Sequence, residues 1–204
     1  MTKQTKLIIL ASLFVGTMLI TNAVSAKLFT VFNVVLSAGI IAYPMTFLIT
    51  DTVGEVWGKR EARTIIYVGF VMNVLFVVAA YIAISLPAAS FWDGQEAMQE
   101  TLGAVPRIVL ASMIAYLVSQ TNDTFIFHKL KEWHKDKLLF VRNNVSTAVS
   151  QLIDACIFYS IAFYGIMPIK HMFIAAGSSY LIKLAIAAAD TPFCYITVRW
   201  AKNG

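Results

Sequence analysis

Six apolar runs, each about long enough to cross a bilayer, constrain the fold of this chain more than any single motif does. They predict transmembrane helices at residues 7–26, 31–52, 64–86, 106–127, 145–167 and 172–198. About 20 apolar residues in a helix span the hydrocarbon core of a membrane. Charged residues make up 13% of the chain, whereas soluble domains carry roughly 25%. We therefore predict an all-α polytopic membrane protein, folded as a single domain over residues 1–204.

The lysines and arginines predict how these helices are oriented. They are concentrated at the two ends of the chain and in the loops after the second and fourth runs, whereas the loop after the third run is acidic. Because cytoplasmic loops carry the excess of Lys and Arg, we expect a multi-pass protein of the inner (cytoplasmic) membrane with both termini in the cytoplasm. For the first run, a cleaved signal peptide is an alternative, since residues 24–26 resemble a signal-peptidase site.

Several other protein classes are disfavoured. The net charge is +5, but the basic residues lie in short loops between apolar runs, so no nucleic-acid-binding face is expected. The histidines lie at predicted helix ends or in loops and the two cysteines lie inside apolar runs, so we expect no metal site, no disulfide and no cofactor. The sequence lacks G-x-S-x-G, H-E-x-x-H, Walker A and Rossmann glycine motifs, which argues against an enzyme.

The stretch at residues 43–63 leads from the second apolar run into a basic cluster. It places Asp51 and Glu55 one helical turn apart, so both carboxylates are predicted to lie on one face of a helix. Gly54 and Gly58 have the same spacing and predict a small-residue face for close contact with another helix. Acidic side chains at the end of a membrane segment are costly, so a functional role is the first hypothesis.

Polar side chains interrupt the apolar runs, and most are predicted to gather in the inner half of the helix bundle. The candidate substrate-binding residues are Asn22, Asp51, Glu55, Asp123, Gln151, Asp154, Lys183 and Asp190. Such groups face a bundle interior and either pair with one another or line a water-filled path. The structural alternative is that Lys183 neutralises one aspartate while the remaining acids cap helix ends or pair with nearby basic residues. For Asn22, the alternative to substrate binding is that its side chain anchors the helix end at the membrane interface.

A short sequence pattern, the echo, occurs once in the fourth apolar run and again in the fifth. The pattern S-Q-x-x-D-x-x-I-F occurs at residues 119–127 and again at residues 150–158. In the predicted topology, the two copies lie on neighbouring antiparallel helices at a similar depth. The serine, amide and carboxylate of each copy supply both hydrogen-bond donors and acceptors. Coincidence remains an alternative explanation of the echo.

The segment from Phe47 to Arg63, F-L-I-T-D-T-V-G-E-V-W-G-K-R-E-A-R, resembles the signature of the queuosine precursor transporter family within the vitamin uptake transporter (VUT) group. The resemblance extends to residues 146–154 and 179–192, and the size and six-helix plan are similar. It implies uptake of 7-deazaguanines, namely preQ0, preQ1 or queuine, which cells use to modify the wobble base of certain tRNAs. It also implies a secondary transporter that works without an ATPase module.

The resemblance and the side-chain chemistry together suggest roles for the candidate residues. A guanine-like ring offers N1–H and an exocyclic amine, and a carboxylate accepts both in a bidentate pair. We expect the base to be bound by Asp51, Gln151 and Asp154. Lys183 with Asp190 is predicted to form a switchable ion pair.

Glu55, with the two nearby glycines, is predicted to hold an inner gate. One alternative function is a transporter, or a substrate-binding component of an energy-coupling-factor transporter, for another vitamin or nucleobase. Another is a membrane-embedded enzyme or assembly factor. The expected partners are the small-molecule substrate and the lipid bilayer, and the sequence leaves open whether the protein forms a homo-oligomer.

Overall fold

The computed structural model of the protein describes residues 1–31, 33–134 and 139–202. Within the helices, the described side chains exclude those at positions 120, 123, 124, 127, 128, 130–134, 139–144, 146 and 187–191. The helices are α1 (Lys3–Val24), α2 (Tyr43–Val56), α3 (Lys59–Ser85), α4 (Gln95–Gly103), α5 (Val105–His134), α6 (Leu139–Phe163) and α7 (Ile169–Lys202). Between α1 and α2 lie the strands β1 (Leu28–Val31) and β2 (Val34–Ser37) and a 3-10 turn (Ala38–Ile41).

Most predicted helices have a counterpart with shifted ends. The runs at 7–26 and 64–86 correspond to α1 and α3, and the run at 106–127 corresponds to α5. The runs at 145–167 and 172–198 correspond to α6 and α7. The short helix α4 lies in what was predicted as a polar connection after the third run.

The prediction of one helix over residues 31–52 is wrong for its first part. There, β1 and β2 pair as a hairpin, and Asn33 in the turn has a φ of 64°. The strands are rich in valine, which suits a pleated strand, and asparagine tolerates the left-handed conformation better than most residues. Helix α2 begins after the 3-10 turn, with Pro44 in its first turn, where the missing N–H breaks no helical hydrogen bond.

The predicted contact face of Gly54 and Gly58 is also wrong, because the two glycines do not share a helix. Gly58 lies between α2 and α3 with a φ of 100°, a conformation that side-chain-bearing residues rarely adopt. Gly54 lies within α2, where an added Cβ would be 4.0 Å from the Cβ of Ala62, an ordinary contact. Gly58 therefore serves the turn between the helices rather than their packing.

The chain divides into two compact units. The first contains Met1–Phe29, Ser37–Val109 and Ala185–Gly204, and the second contains Thr30–Leu36 and Leu110–Leu184. Helices α5 and α7 each contribute one part to each unit. The single six-helix domain expected from the sequence stays a prediction.

In the first unit, helices α1, α2 and α3 share an apolar core. Its buried members are Leu10, Phe14, Ile49, Val53 and Ile65. Gly69 on α3 allows close approach to α1, because an added Cβ would lie 2.7 Å from the sulfur of Met18 and 3.0 Å from the ring of Phe14. Close packing through small residues is how helices associate inside membranes.

Many large apolar side chains outside this core are exposed. On α3 the exposed large side chains include Tyr67, Val71, Leu75, Val78 and Ile82. Among the described residues, Lys3–Val24, Lys59–Ser85 and Gln95–Ser119 are long and apolar enough to cross a membrane, and Thr147–Phe163 is a shorter apolar helix. Soluble monomers rarely expose continuous apolar patches of this kind. The fold is that of an all-α membrane protein whose outer helix faces suit lipid.

Candidate functional site

A buried ion pair joins α6 to α7 in the second unit. The ammonium of Lys183 donates to Oδ2 of Asp154 at 2.9 Å, and the two side chains are 11% and 10% exposed. Taking two charges out of water is expensive, and removing one partner of a buried ion pair is strongly destabilising. The pair therefore has to be kept together, or each partner has to be given a new one.

Two further acceptor atoms lie next to Asp154 on α6. Oε1 of Gln151 and Oγ of Ser150 are buried and have no hydrogen-bond partner among the described residues. They are three and four positions before Asp154, so all three side chains lie on one side of the helix. A carboxylate has about four acceptor positions, and Lys183 fills one of them. Acceptor positions on Asp154 and Gln151 are therefore left without a hydrogen bond from the described residues.

Two other serines of the second unit, on α5 and α7, are also buried. Ser119 on α5 is buried, and so is Ser179 on α7, one turn before Lys183. Ser119 and Ser150 hold the same position in the two copies of the sequence echo, and both are buried. The four-residue spacing of Ser179 and Lys183 places both on one face of α7, a signal that the sequence carries.

An aromatic cluster continues α6 beyond Asp154. The ring of Phe158, one turn further on, is 5.5 Å from that of Tyr159 and 6.1 Å from that of Phe163, in edge-to-face arrangements. Tyr159 and Phe163 are both buried. Edge-to-face ring pairs are favourable arrangements, so the residues that follow Asp154 along α6 form an aromatic cluster.

Asn22 lies in the first unit, where it joins two helices. Its side-chain N–H donates to the side-chain oxygen of Asn73 on α3, and Asn73 in turn donates to the carbonyl of Gly69 at 2.8 Å. Both asparagines are buried. The hydroxyl of the neighbouring Thr21 is buried and has no hydrogen-bond partner among the described residues. Amide pairs of this kind hold membrane helices together.

The end of β2 is attached to the end of α1. The hydroxyl of Ser37 donates to the carbonyl of Ser25 at 2.9 Å, and the hydroxyl of Ser25 donates to the carbonyl of Thr21 at 2.6 Å. A Cβ added to Gly39 would lie 2.0 Å from the Ser25 hydroxyl, so only glycine fits here without a shift. The sequence predicted one helix through this region and therefore missed the attachment.

Asp51 and Glu55 lie on α2 and are both exposed. Glu55 accepts from the ammonium of Lys202 on α7 at 3.0 Å, with side chains 60% and 52% exposed. One turn earlier, the hydroxyls of Thr52 and Thr197 are 2.7 Å apart. The sequence suggested basic residues at the start of α3 as partners for the acids, but the partner of Glu55 comes from the far end of the chain.

The two ends of the chain also meet in the first unit. Lys6 on α1 donates to the carbonyl of Trp200 on α7 at 2.7 Å, and its ammonium lies 5.1 Å from the centre of the Trp200 ring. Although it is charged, Lys6 is buried. A cation is favoured near the carbonyl groups at a helix C-terminus, so this contact fastens the start of α1 to the end of α7.

The predicted site residues thus divide between the units. Gln151, Asp154 and Lys183 come together in the second unit, while Asn22, Asp51 and Glu55 lie in the first. The side chains of Asp123 and Asp190 lie outside the described residues, so the predicted pairing of Lys183 with Asp190 stays a prediction. Among the described residues, no group of three His, Cys, Asp or Glu side chains is placed to hold a metal ion.

Comparison with known proteins identifies the family. A family model with the description "Putative vitamin uptake transporter" matches residues 37–197. The chain belongs to the vitamin uptake transporter family. The match includes the hairpin attachment at Ser37, helix α2 and the Asp154–Lys183 pair. Membership of this family, together with the apolar helices, makes the chain a multi-pass protein of the cell membrane.

Members of this family with curated names are similar over much of the chain. The "Probable queuosine precursor transporter" of Bacillus subtilis (strain 168) is 34% identical over 188 residues, which cover 89% of this chain and 80% of the relative. A relative of the same name from Haemophilus influenzae is 32% identical over 128 residues, covering 62% and 51%. The "Queuosine precursor transporter" of Escherichia coli (strain K12) is 29% identical over 126 residues, covering 62% and 54%. The matched region spans about half the length of the last two relatives. No solved structure gives a significant match.

Proposed function

We propose that this protein imports queuosine precursors, the 7-deazaguanines preQ0, preQ1 or queuine, as a secondary transporter of the cell membrane. Family membership supports the general activity, and three relatives are named as transporters of queuosine precursors. The imported base would serve tRNA modification inside the cell.

The observation that carries the proposal is the buried carboxylate of Asp154 with the buried Oε1 of Gln151 beside it on α6. A guanine-like ring presents N1–H and an exocyclic amine along one edge, and both can donate to the two oxygens of a carboxylate. Oε1 of Gln151, buried without a partner among the described residues, can accept a further hydrogen bond. Because buried acceptors without partners are costly, a ligand rich in N–H groups would bind here with a net gain.

We propose further that the helices form six membrane spans with both termini in the cytoplasm. The distribution of Lys and Arg along the chain supports placing both termini in the cytoplasm. The contact between Lys6 and Trp200 supports an even number of spans, because it fastens the beginning and the end of the chain at one end of the first unit. Reporter fusions at each loop would test this, and a C-terminal reporter located outside the cell would contradict it.

The function is tested by measuring queuosine in the tRNA of cells that cannot synthesise its precursors. The cells would receive preQ0, preQ1 or queuine at low concentration, with or without this protein. We expect modification to require the protein, and Asp154→Asn to abolish it because the variant keeps the shape but loses the charged acceptor. Lys170→Gln replaces an exposed lysine on α7 and is the control with uptake retained.

Two results would overturn the proposal. If the protein reaches the membrane but none of the three precursors restores queuosine, a different vitamin or nucleobase becomes the substrate to seek. If Asp154→Asn transports as well as the unchanged protein, then the base does not bind at Asp154.

A further inference from the structure

Lys183 is hydrogen-bonded to the Asp154 carboxylate, the group to which a substrate base would donate. Its ammonium donates to Oδ2 of Asp154 at 2.9 Å, in the way that a ring N–H or an amine of a ligand would donate. The neighbouring acceptors of Gln151 and Ser150 have no partner among the described residues. Among the described residues, the group thus combines a charged donor, Lys183, with acceptors that have no protein donor.

We propose that Lys183 is an internal stand-in for the substrate. It holds Asp154 while the site is empty, and it gives up the carboxylate when the donor edge of a base binds. This inference rests on the proposed function and deepens it, because it assigns the ion pair to the empty state of the transport cycle. A carboxylate buried in a membrane protein without a partner is costly, so Lys183 supplies in the empty site the hydrogen bond that the donor edge of a base supplies in the loaded site.

The residue type fits this role. The lysine ammonium is a compact charge on a flexible four-carbon stem, so it can leave one acceptor and reach another. An arginine would hold the carboxylate with two parallel hydrogen bonds in a rigid fork, which would make release harder. The two side chains of the pair come from different helices, α6 and α7, so release of Lys183 also loosens one contact between these helices.

The proposed role predicts that substitutions of Lys183 change the affinity for substrate and the rate of net uptake in different ways. In Lys183→Gln the competitor for Asp154 is weakened, so a base should bind more tightly. Exchange of labelled for unlabelled substrate requires the loaded carrier alone, so it should continue. Net uptake requires the empty carrier to return with its carboxylate compensated, so it should fall. In Lys183→Arg the internal pair is stronger, and a base should bind less tightly.

The experiment uses the full-length protein in proteoliposomes with labelled preQ0, which has the guanine-like edge with its exocyclic amine but lacks the cationic amine of preQ1. Affinity, exchange and net uptake are measured for the unchanged protein and for both variants. We expect Lys183→Gln to bind preQ0 about tenfold more tightly, which corresponds to about 1.4 kcal/mol. We expect its exchange to be retained and its net uptake to be lost. Lys170→Gln, which replaces an exposed lysine on α7, is the control and should match the unchanged protein in all three measurements.

The outcomes are distinguishable. No binding of preQ0 by the unchanged protein would overturn the proposed function itself, and with it the stand-in. Binding by the unchanged protein with weaker binding by Lys183→Gln would leave the function standing but make Lys183 a direct substrate ligand. Loss of exchange and net uptake together, with unchanged affinity, would reduce the pair to a structural role. If Lys183→Gln does not reach the membrane, Lys183→Arg decides: weaker binding supports the stand-in, and equal or tighter binding refutes it.

Discussion

Two lysine–carboxylate pairs in this protein have nearly the same geometry but differ in burial, and we predict that their coupling energies differ accordingly. Lys183 and Asp154 are 2.9 Å apart with side chains 11% and 10% exposed. Lys202 and Glu55 are 3.0 Å apart with side chains 52% and 60% exposed. Each pair can be dissected by replacing the acid with its amide, the lysine with glutamine, and both together.

The expected magnitudes follow from what each single substitution leaves behind. In the exposed pair, water solvates the remaining charge, so the coupling energy should stay below about 1 kcal/mol. In the buried pair, a single substitution leaves a charge without its partner at a cost of about 3–5 kcal/mol. The double substitution removes both charges and should recover most of that loss. We therefore expect a coupling energy of at least about 2 kcal/mol for Asp154 and Lys183.

The measurement is a double-mutant cycle on the free energy of unfolding. Purified protein in mixed lipid–detergent micelles would be unfolded with increasing denaturing detergent, and unfolding would be followed by fluorescence of the chain's four tryptophans. Far-UV circular dichroism would establish that each variant begins with the same helical content. Both cycles would be run at one pH and one salt concentration, because exposed pairs weaken with added salt.

Equal coupling energies for the two pairs would refute the reasoning, since burial would then not determine the strength of the interaction. A buried double variant as unstable as the sum of its single variants would refute it as well. Either result would mean that the charges of Asp154 and Lys183 are compensated by groups other than each other.

Two glycine substitutions test the backbone features of the first unit. Gly39→Ala places a Cβ 2.0 Å from the Ser25 hydroxyl, so we expect a loss of about 1–3 kcal/mol in stability from overpacking, seen as a lower midpoint of thermal unfolding. Gly58→Ala forces a side chain into a φ of 100°, and we expect it to cost about 1–3 kcal/mol, with unchanged affinity for preQ0 in the folded protein.

Gly16→Ala is the matched control for both substitutions. It lies within α1, and an added Cβ would meet no atom within 4 Å. Alanine is favoured over glycine inside a helix by about 1 kcal/mol, so this variant should be at least as stable as the unchanged protein. If either test variant matched it, the close approach at Gly39 or the left-handed conformation at Gly58 would not require glycine.

The sequence was most informative where apolar runs were long. A run of membrane length leaves helix as the favoured structure, because backbone groups in lipid need partners within the same segment. It was least informative at residues 28–41, where a short apolar run fits a strand as well as a helix. The valines around Asn33 indicate a hairpin, but the predicted helix over residues 31–52 included them.

The polar residues show the same limit at the level of the site. Spacing along α6 placed Gln151 and Asp154 on one side of a helix, and the structure brings both to the Lys183 pair. Spacing along α7 suggested a pairing of Lys183 with Asp190, which stays a prediction, but it gave no sign of the hydrogen bond from Lys183 to Asp154 on α6. Periodicity predicts which residues share a helix face, but the choice of partner depends on which helices are neighbours.

Glu55 illustrates why partners far apart in sequence are hard to foresee. Its partner Lys202 lies 147 residues away, and no motif links the two. Lys6 and Trp200 are 194 residues apart and equally unlinked by pattern. From the sequence alone, a charged residue near the end of a chain is expected to be solvated, and only the fold shows that it contacts another helix.

The shortness of α2 has a consequence for how the protein is made. With 14 residues at 1.5 Å per residue, the helix is about 21 Å long, shorter than the roughly 30 Å hydrocarbon core. It also carries two acids, and an aspartate in the middle of an inserting segment costs about 2.5–3.5 kcal/mol. We therefore expect the translocation machinery to pass over α2 when it is presented alone and to integrate it together with α1 and α3, whose apolar core it shares. Glycosylation mapping of α2 with and without these neighbours would show this, and efficient integration of α2 alone would contradict it.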